Sequence, residues 1–120
     1  MSKKIGMIGI GMMGHGIATN LVKHGHRLQV LEHAGNQPLT DLLAAGVRTA
    51  QTPAQLAPDN DIILLCVTGS PQVEAVLMGP EGVLSAIQKG TIIIDCSTAI
   101  PSSTQKLAAL VEQAGGRFLD

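Results

Sequence analysis

Aromatic side chains are almost missing from this 120-residue sequence, which has one phenylalanine, Phe118, and no tyrosine or tryptophan. A single ring offers no stacking platform for bases. Eight basic residues against nine acidic ones leave a formal charge of -1 and no positive footprint for a phosphate backbone, so nucleic-acid binding is disfavoured. Long apolar runs are also missing. The longest, Ile62 to Val67, has six residues, where a membrane-spanning helix needs about 18 or more. Glycines at 6, 9, 11 and 14 follow Lys3 and Lys4 and break the continuous apolar stretch that a secretion signal requires. The default expectation is a soluble, cytoplasmic protein with no membrane partner. Only two cysteines occur, and no Cys and His spacing suggests zinc or another metal. Cys66 and Cys96 lie in or beside strand-like runs and are expected to be reduced, buried thiols rather than a disulfide or a nucleophile.

What is present is the material for one domain covering residues 1–120. The sequence is 45% hydrophobic, and at this length about two-thirds of the unfolded surface can be buried, enough for a core without disulfides or metal. Strands alternate with helices along it. Lys4 to Ile8 reads as a buried strand, and Met12 to His24 reads as a helix with Met13, Ile17, Leu21 and Val22 at helical spacing and Gly25 as its cap. Arg27 to Leu31 is a second strand; Pro38 is expected in the first turn of a helix that ends at Gly46. Val47 to Thr49 is a weak third strand, and a helical turn starts near Thr52 and Pro53. Asp61 to Val67 has the two-sided apolarity of a parallel-sheet strand. Ser70 and Pro71 open a helix with Val73, Val76 and Leu77 inward, broken by Gly79, Pro80 and Gly82. Thr91 to Asp95 is a fifth strand, Pro101 opens a helix closed by Gly115 and Gly116, and Phe118 and Leu119 begin a sixth strand. The pattern predicts an α/β fold of the Rossmann type: a doubly wound parallel sheet of six strands with helices on both faces.

Gly9-Ile10-Gly11-Met12-Met13-Gly14 fits G-x-G-x-x-G between a predicted strand and a predicted helix. In that context Gly9 permits the tight turn, Gly11 admits a pyrophosphate close to the backbone, and Gly14 lets the helix pack against the strand. The helix N-terminus then offers amides and a positive dipole end to phosphates. Flavin and S-adenosylmethionine sites use related glycine loops. Glu32 stands at the end of the second strand, 18 residues past Gly14. A carboxylate there accepts from a ribose 2'-OH and repels a 2'-phosphate; alternatively it is a surface residue. No Lys or Arg occurs from His33 to Val47, so NAD is favoured over NADP. His15 is expected to face solvent rather than act as a base. Asp95-Cys96-Ser97-Thr98-Ala99-Ile100-Pro101 ends the fifth strand on the ligand-binding edge of such a sheet, and there Ser97 and Thr98 serve equally well as ligand contacts or as a helix cap. The loop Cys66-Val67-Thr68-Gly69-Ser70-Pro71 lies along the same edge.

These residues together resemble the β-hydroxyacid dehydrogenase family, which includes 3-hydroxyisobutyrate dehydrogenase and tartronate semialdehyde reductase. The glycine motif with Ala18, Asn20-Leu21 and Gly25-His26 is similar to the family's amino-terminal signature. Asp95-Cys96-Ser97-Thr98 with Pro101, and Gly115-Gly116-Arg117-Phe118-Leu119-Asp120, resemble its later segments. The resemblance spans all 120 residues. It implies an NAD-dependent oxidoreductase interconverting a small β-hydroxyacid and its semialdehyde or ketone. It carries cofactor contacts onto Gly9, Gly11, Met12, Met13, Gly14, Glu32, Cys66, Val67, Val73 and Thr98. The resemblance places the family's glycine-containing substrate-binding segment just past the position of Asp120 and its catalytic lysine later still, in a helical domain that also mediates homo-oligomerisation; none of that lies within residues 1–120, and neither Lys89 nor Lys106 matches the catalytic motif. The chain alone is therefore expected to bind cofactor without turnover. A module that senses NAD(H) without chemistry is the alternative.

Overall fold

The computed structural model describes residues 3–33, 36, 38–67, 69–96 and 101–119, excluding the side chains of residues 70 and 101–104. Six strands form one sheet: β1 (Lys4–Ile8), β2 (Arg27–Leu31), β3 (Arg48–Ala50), β4 (Ile62–Leu65), β5 (Ile92–Asp95) and β6 (Arg117–Leu119). Their order is β3-β2-β1-β4-β5-β6, and every pairing is parallel. Five helices connect them: α1 (Met12–Lys23), α2 (Thr40–Ala44), α3 (Pro53–Leu56), α4 (Ser70–Leu77) and α5 (Pro101–Gln113), with short 3-10 turns at Ala57–Asp59 and Val83–Ser85. This is the predicted doubly wound fold.

Alternation along the strands sends apolar side chains to both faces. Ile5, Met7, Leu28, Val30 and Leu64 pack with Ala18 and Leu42 from α1 and α2, while Ile8, Ile63, Leu65 and Ile93 pack with Leu56, Val73, Leu77, Leu107 and Val111 on the other side. The central strands are therefore covered twice. Three helices end on the glycines the sequence marks. Gly25, Gly46 and Gly115 all have φ between +86 and +98°, and each helix closes with the paired 5→2 and 6→1 bonds of a Schellman turn, such as Gly25 N–H to Val22 O at 3.0 Å and His26 N–H to Leu21 O at 3.1 Å.

Boundaries differ from expectation where a backbone bond decides them. Val47 donates to the Leu42 carbonyl to finish the α2 turn, so β3 begins at Arg48 rather than Val47. Helix α2 starts at Thr40, with Leu39 as its N-cap, and Pro38 lies outside it. Strand β4 is shorter than Asp61 to Val67 because only Ile62 to Leu65 pair on both sides. The expected stripe on α1 holds for Ile17, Leu21 and Val22, which pack against the core, and is corrected at Met13. Met13 is 58% exposed, and the buried residues of α1 are Gly14 and Ala18, because small residues let the helix axis approach the sheet and turn Met13 toward the rim.

A polar network lies inside the fold. Buried Asn60 donates to the Gln29 Oε1 at 3.0 Å and to the Leu56 carbonyl at 2.7 Å, and Gln29 donates to the Thr49 carbonyl at 3.2 Å. It ties β2 and β3 to the turn before β4. Asn60→Ala leaves two buried acceptors without this donor and is expected to cost about 1–3 kcal/mol. Urea denaturation monitored by circular dichroism checks this, with parental stability as the contrary result.

Candidate functional site

The chain winds outward from β1 to β2 and β3, then returns to β4 on the other side of β1. Crossovers leaving the C-terminal ends of β1 and β4 therefore diverge and open a crevice. Its floor is tightly held: Ile8 is in register with Leu65, and the Cys66 amide donates to the Ile8 carbonyl at 2.8 Å.

The three glycines meet three different constraints there. Gly9 has φ +99°, and a Cβ on it would overlap the Cys66 carbonyl. A Cβ on buried Gly14 would overlap the Gly9 carbonyl, whereas a Cβ on Gly11 would have nothing within 4 Å. Turn, close packing and open approach are thus divided as the motif spacing predicts. The His15 amide is the first to bond back, to the Gly11 carbonyl at 2.8 Å. The amides of Met12, Met13 and Gly14 consequently stand at the open, positive end of α1. Gly11 supplies no side-chain cap and the first turn carries no acid, so nothing there neutralises that end in advance. Met12, at 85% exposure, and Met13 flank it.

A cavity of about 430 Å³ runs from this turn across the crevice. Ile8, Gly9, Ile10 and Gly11 line one side, Cys66 and Val67 with Gln72, Ala75 and Val76 of α4 line the other, and Leu31, His33 and Asn36 close the β2 end. The expected contact by Val73 is corrected: it is 0% exposed in the core, and its α4 neighbours Gln72, Ala75 and Val76 present the surface instead. Thr98 lies outside the described residues, as do Thr68, Ser97, Ala99 and Ile100.

Glu32 is exposed at the end of β2. Its amide donates to the Ala50 carbonyl at 2.9 Å, and its carboxylate accepts from the Gln51 side-chain amide. Gln51 is held in turn by its own amide, which donates to Gln55 Oε1 at 2.6 Å. Sequence reasoning missed Gln51, which follows β3 and reaches Glu32 only through the β2–β3 pairing. It also missed Asn36. The Ile10 amide donates to Asn36 Oδ1 at 3.3 Å, and Asn36 Nδ2 donates to the Leu31 carbonyl at 3.0 Å, so this side chain bridges the glycine turn and β2.

His15 is not simply solvent-facing. Its Nε2 lies 3.2 Å from Asp41 Oδ1, joining α1 to α2, and this hydrogen bond holds the Asp41 carboxyl below its ordinary value. The cysteines also differ from expectation. Cys96 is exposed and Cys66 half-buried, because both fall just past the last paired residues of their strands, where the covering helices diverge. Burial first, then the neighbouring Cys96 thiol and the Asp95 charge, push the Cys66 thiol up to about 11. Among the described residues no group of three or more His, Cys, Asp or Glu side chains is placed to hold a metal, and no helix is long and apolar enough to cross a membrane.

The family model for the NAD binding domain of 6-phosphogluconate dehydrogenase matches residues 4–120. The chain belongs to this family. It is 40% identical over 118 residues to the 2-hydroxy-3-oxopropionate reductase of Escherichia coli (strain K12), covering 98% of this chain and 39% of the reductase. It is also 37% identical over 119 residues to the human cytokine-like nuclear factor N-PAC, covering 98% of this chain and 21% of that protein. The chain thus spans well under half the length of these relatives. Mycobacterium tuberculosis 3-hydroxyisobutyrate dehydrogenase, solved with L-serine, shares the fold with a TM-score of 0.86 at 24% identity, over 98% of this chain and 39% of that one. The β-hydroxyacid dehydrogenase resemblance therefore holds, and the chain corresponds to the N-terminal domain of that type.

Two consequences are measurable. Gly14→Ala is expected to lower stability by about 1–3 kcal/mol, because the new methyl meets backbone, while Gly11→Ala is expected to change it by less than about 1 kcal/mol; urea melts of both variants check the contrast. The Cys66 thiol has a folded value of about 11 against 9.0 for an unperturbed thiol, so the native state holds this proton more tightly than the unfolded state. Its contribution is intact below pH 9 and is lost as pH rises from 9 toward 11. Stability measured across that window is expected to fall more steeply in the parent than in Cys66→Ser.

Proposed function

We propose that this chain is the cofactor-binding domain of an NAD-dependent oxidoreductase that interconverts a small β-hydroxyacid and its semialdehyde or ketone. The observation that carries the reading is the glycine turn, where the Cβ direction of Gly11 alone opens into free space while Gly9 and Gly14 are closed by backbone. Backbone approach by a diphosphate uses that space, with the Met12, Met13 and Gly14 amides as donors. The cavity beside it accepts the adenosine half between Ile10, Val67 and Val76, with Gly9 forming the turn and Cys66 the floor. Thr98 belongs to the nicotinamide half of the proposed site.

Glu32 supports the choice of dinucleotide. An exposed carboxylate at the end of β2 accepts from a ribose diol and repels a 2'-phosphate, and the fold takes either dinucleotide according to the residue at this place. The relationship to 2-hydroxy-3-oxopropionate reductase supports the substrate class, since 2-hydroxy-3-oxopropionate is tartronate semialdehyde. When bound, the nicotinamide would accept the hydride from the substrate's hydroxyl-bearing carbon, and the hydroxyl proton needs a base. We assign that base and the acid-binding groups to a C-terminal helical domain, through which the protein also self-associates, and the location to the cytoplasm. A non-catalytic NAD(H)-binding module is the second reading, favoured by the 37% identity to N-PAC, whose name denotes a nuclear factor.

Calorimetric titration is expected to show NADH binding at least about tenfold tighter than NADPH, a difference of about 1.4 kcal/mol. Gly11→Val is expected to abolish binding with an unchanged circular dichroism spectrum, and Glu32→Ser with His33→Arg to narrow or reverse the preference. Equal affinities for the two cofactors overturn the NAD assignment. The 120 residues incubated with NAD and small β-hydroxyacids are expected to give no reduced cofactor, and turnover abolished by His15→Ala would overturn the assignment of proton transfer to another domain. A full-length protein that binds NADH yet reduces none of the corresponding semialdehydes would favour the sensing module.

A further inference from the structure

The ends of β4 and β5 bring together two thiols that the proposed reaction does not use. Leu65 and Asp95 are the last partners in that ladder, and the Cys96 amide extends it by one bond, donating to the Leu65 carbonyl at 2.8 Å. Cys66 and Cys96 are thus opposite each other one step further on. Neighbouring strands run about 4.8 Å apart, within the Cα separation of about 4.4–6.8 Å that a disulfide spans. Their side chains also share a face: Cys66 packs with the Leu64 and Ile94 layer, and Cys96, two residues beyond Ile94, has the same parity.

We infer that Cys66 and Cys96 form a redox-sensitive dithiol, in which a hydroperoxide oxidises exposed Cys96 and half-buried Cys66 resolves it to an intrachain disulfide. The Cys96 thiolate attacks one peroxide oxygen, the O–O bond breaks, and the second oxygen leaves as water after taking a proton, giving a sulfenic acid. Cys66 Sγ then attacks Cys96 Sγ. The S–O bond breaks, and the hydroxyl leaves as water with the Cys66 proton. Two thiols and one hydrogen peroxide become one disulfide and two waters, two electrons passing from sulfur to oxygen. Exposure separates the roles. Cys96 meets the oxidant, while burial keeps Cys66 protonated and out of direct reaction. Cys66 also lines the neighbouring cavity.

The reduced protein is treated with hydrogen peroxide, quenched, unfolded, alkylated with N-ethylmaleimide and weighed intact. The expected product is a monomer lighter by two hydrogens, carrying no alkyl label and restored to two labels by dithiothreitol. It is expected to form at least about tenfold faster in the native protein than in urea, because the strands hold the sulfurs together. Cys66→Ser is expected to stop at a sulfenic acid that dimedone traps on Cys96, and Cys96→Ser to keep its remaining thiol alkylatable at the same dose. The parent protein carries the decisive reading even if a variant fails to fold. Oxygen added to Cys96 with Cys66 still alkylatable, a disulfide between two chains, or equal rates in urea and buffer would each overturn the inference.

Discussion

The contact between Gly14 and the Gly9 carbonyl sets how near α1 comes to β1, and the C-terminal edge of the sheet is built on that distance. Ala18, one turn on, continues the same line of small residues and is fully buried. A larger side chain at either place would lift the helix and with it the Gly9 turn, whose Cα rests against the Cys66 carbonyl. The ends of β1 and β4, the direction of the α1 amides and the floor of the cavity are therefore one mechanical unit. Close packing makes such a unit costly to deform, and a rigid row of amides is what an anion site requires, since donors fixed in advance need no reorganisation when charge arrives.

The parts of this unit that depend on local sequence were readable in advance. Strand, glycine turn and helix follow one another within twenty residues, and each glycine role rests on atoms nearby or on the next strand of an obligatory crossover. The helix ends were equally local, because a left-handed glycine closes the carbonyls of the preceding turn at Gly25, Gly46 and Gly115. What sequence reading missed is set by tertiary contact. Met13 has the spacing of a core residue, but spacing fixes only the angle around a helix, and the close approach at Gly14 and Ala18 rotated the buried line away from it. Val73 and Val76 lie on one helical stripe, yet only Val76 reaches the cavity while Val73 is covered. Asn36 and Gln51 carry no pattern at all, since Asn36 bonds to the turn after β1 and Gln51 to the residue just past β2.

The two cysteines illustrate the same limit differently. An apolar run predicts burial along its length, but a parallel strand is covered only as far as its flanking helices overlie it. Beyond Leu65 and Asp95 the helices have parted to make the crevice, so residues that continue an apolar strand in sequence become the lining of a cleft in space. Half-burial is the outcome for Cys66 and exposure for Cys96. The opening that admits a ligand thus also uncovers the thiols.

The position of Glu32 shows how an edge strand takes part in this site without touching it. The Glu32 amide is fixed to the Ala50 carbonyl by the β2–β3 pairing, and Gln51, the next residue along from Ala50, supplies the side-chain amide that restrains the carboxylate. Gln51 is itself anchored to Gln55 in α3, whose N-cap Thr52 accepts from the Gln55 amide at 3.1 Å. An exposed glutamate by itself loses rotamer freedom when it orders on a ligand, and that entropy reduces the net gain from each hydrogen bond. Tethering one carboxylate oxygen through Gln51 removes part of the loss beforehand. On the NAD reading, discrimination at the ribose is therefore a property of the β2–β3 pair and α3 together.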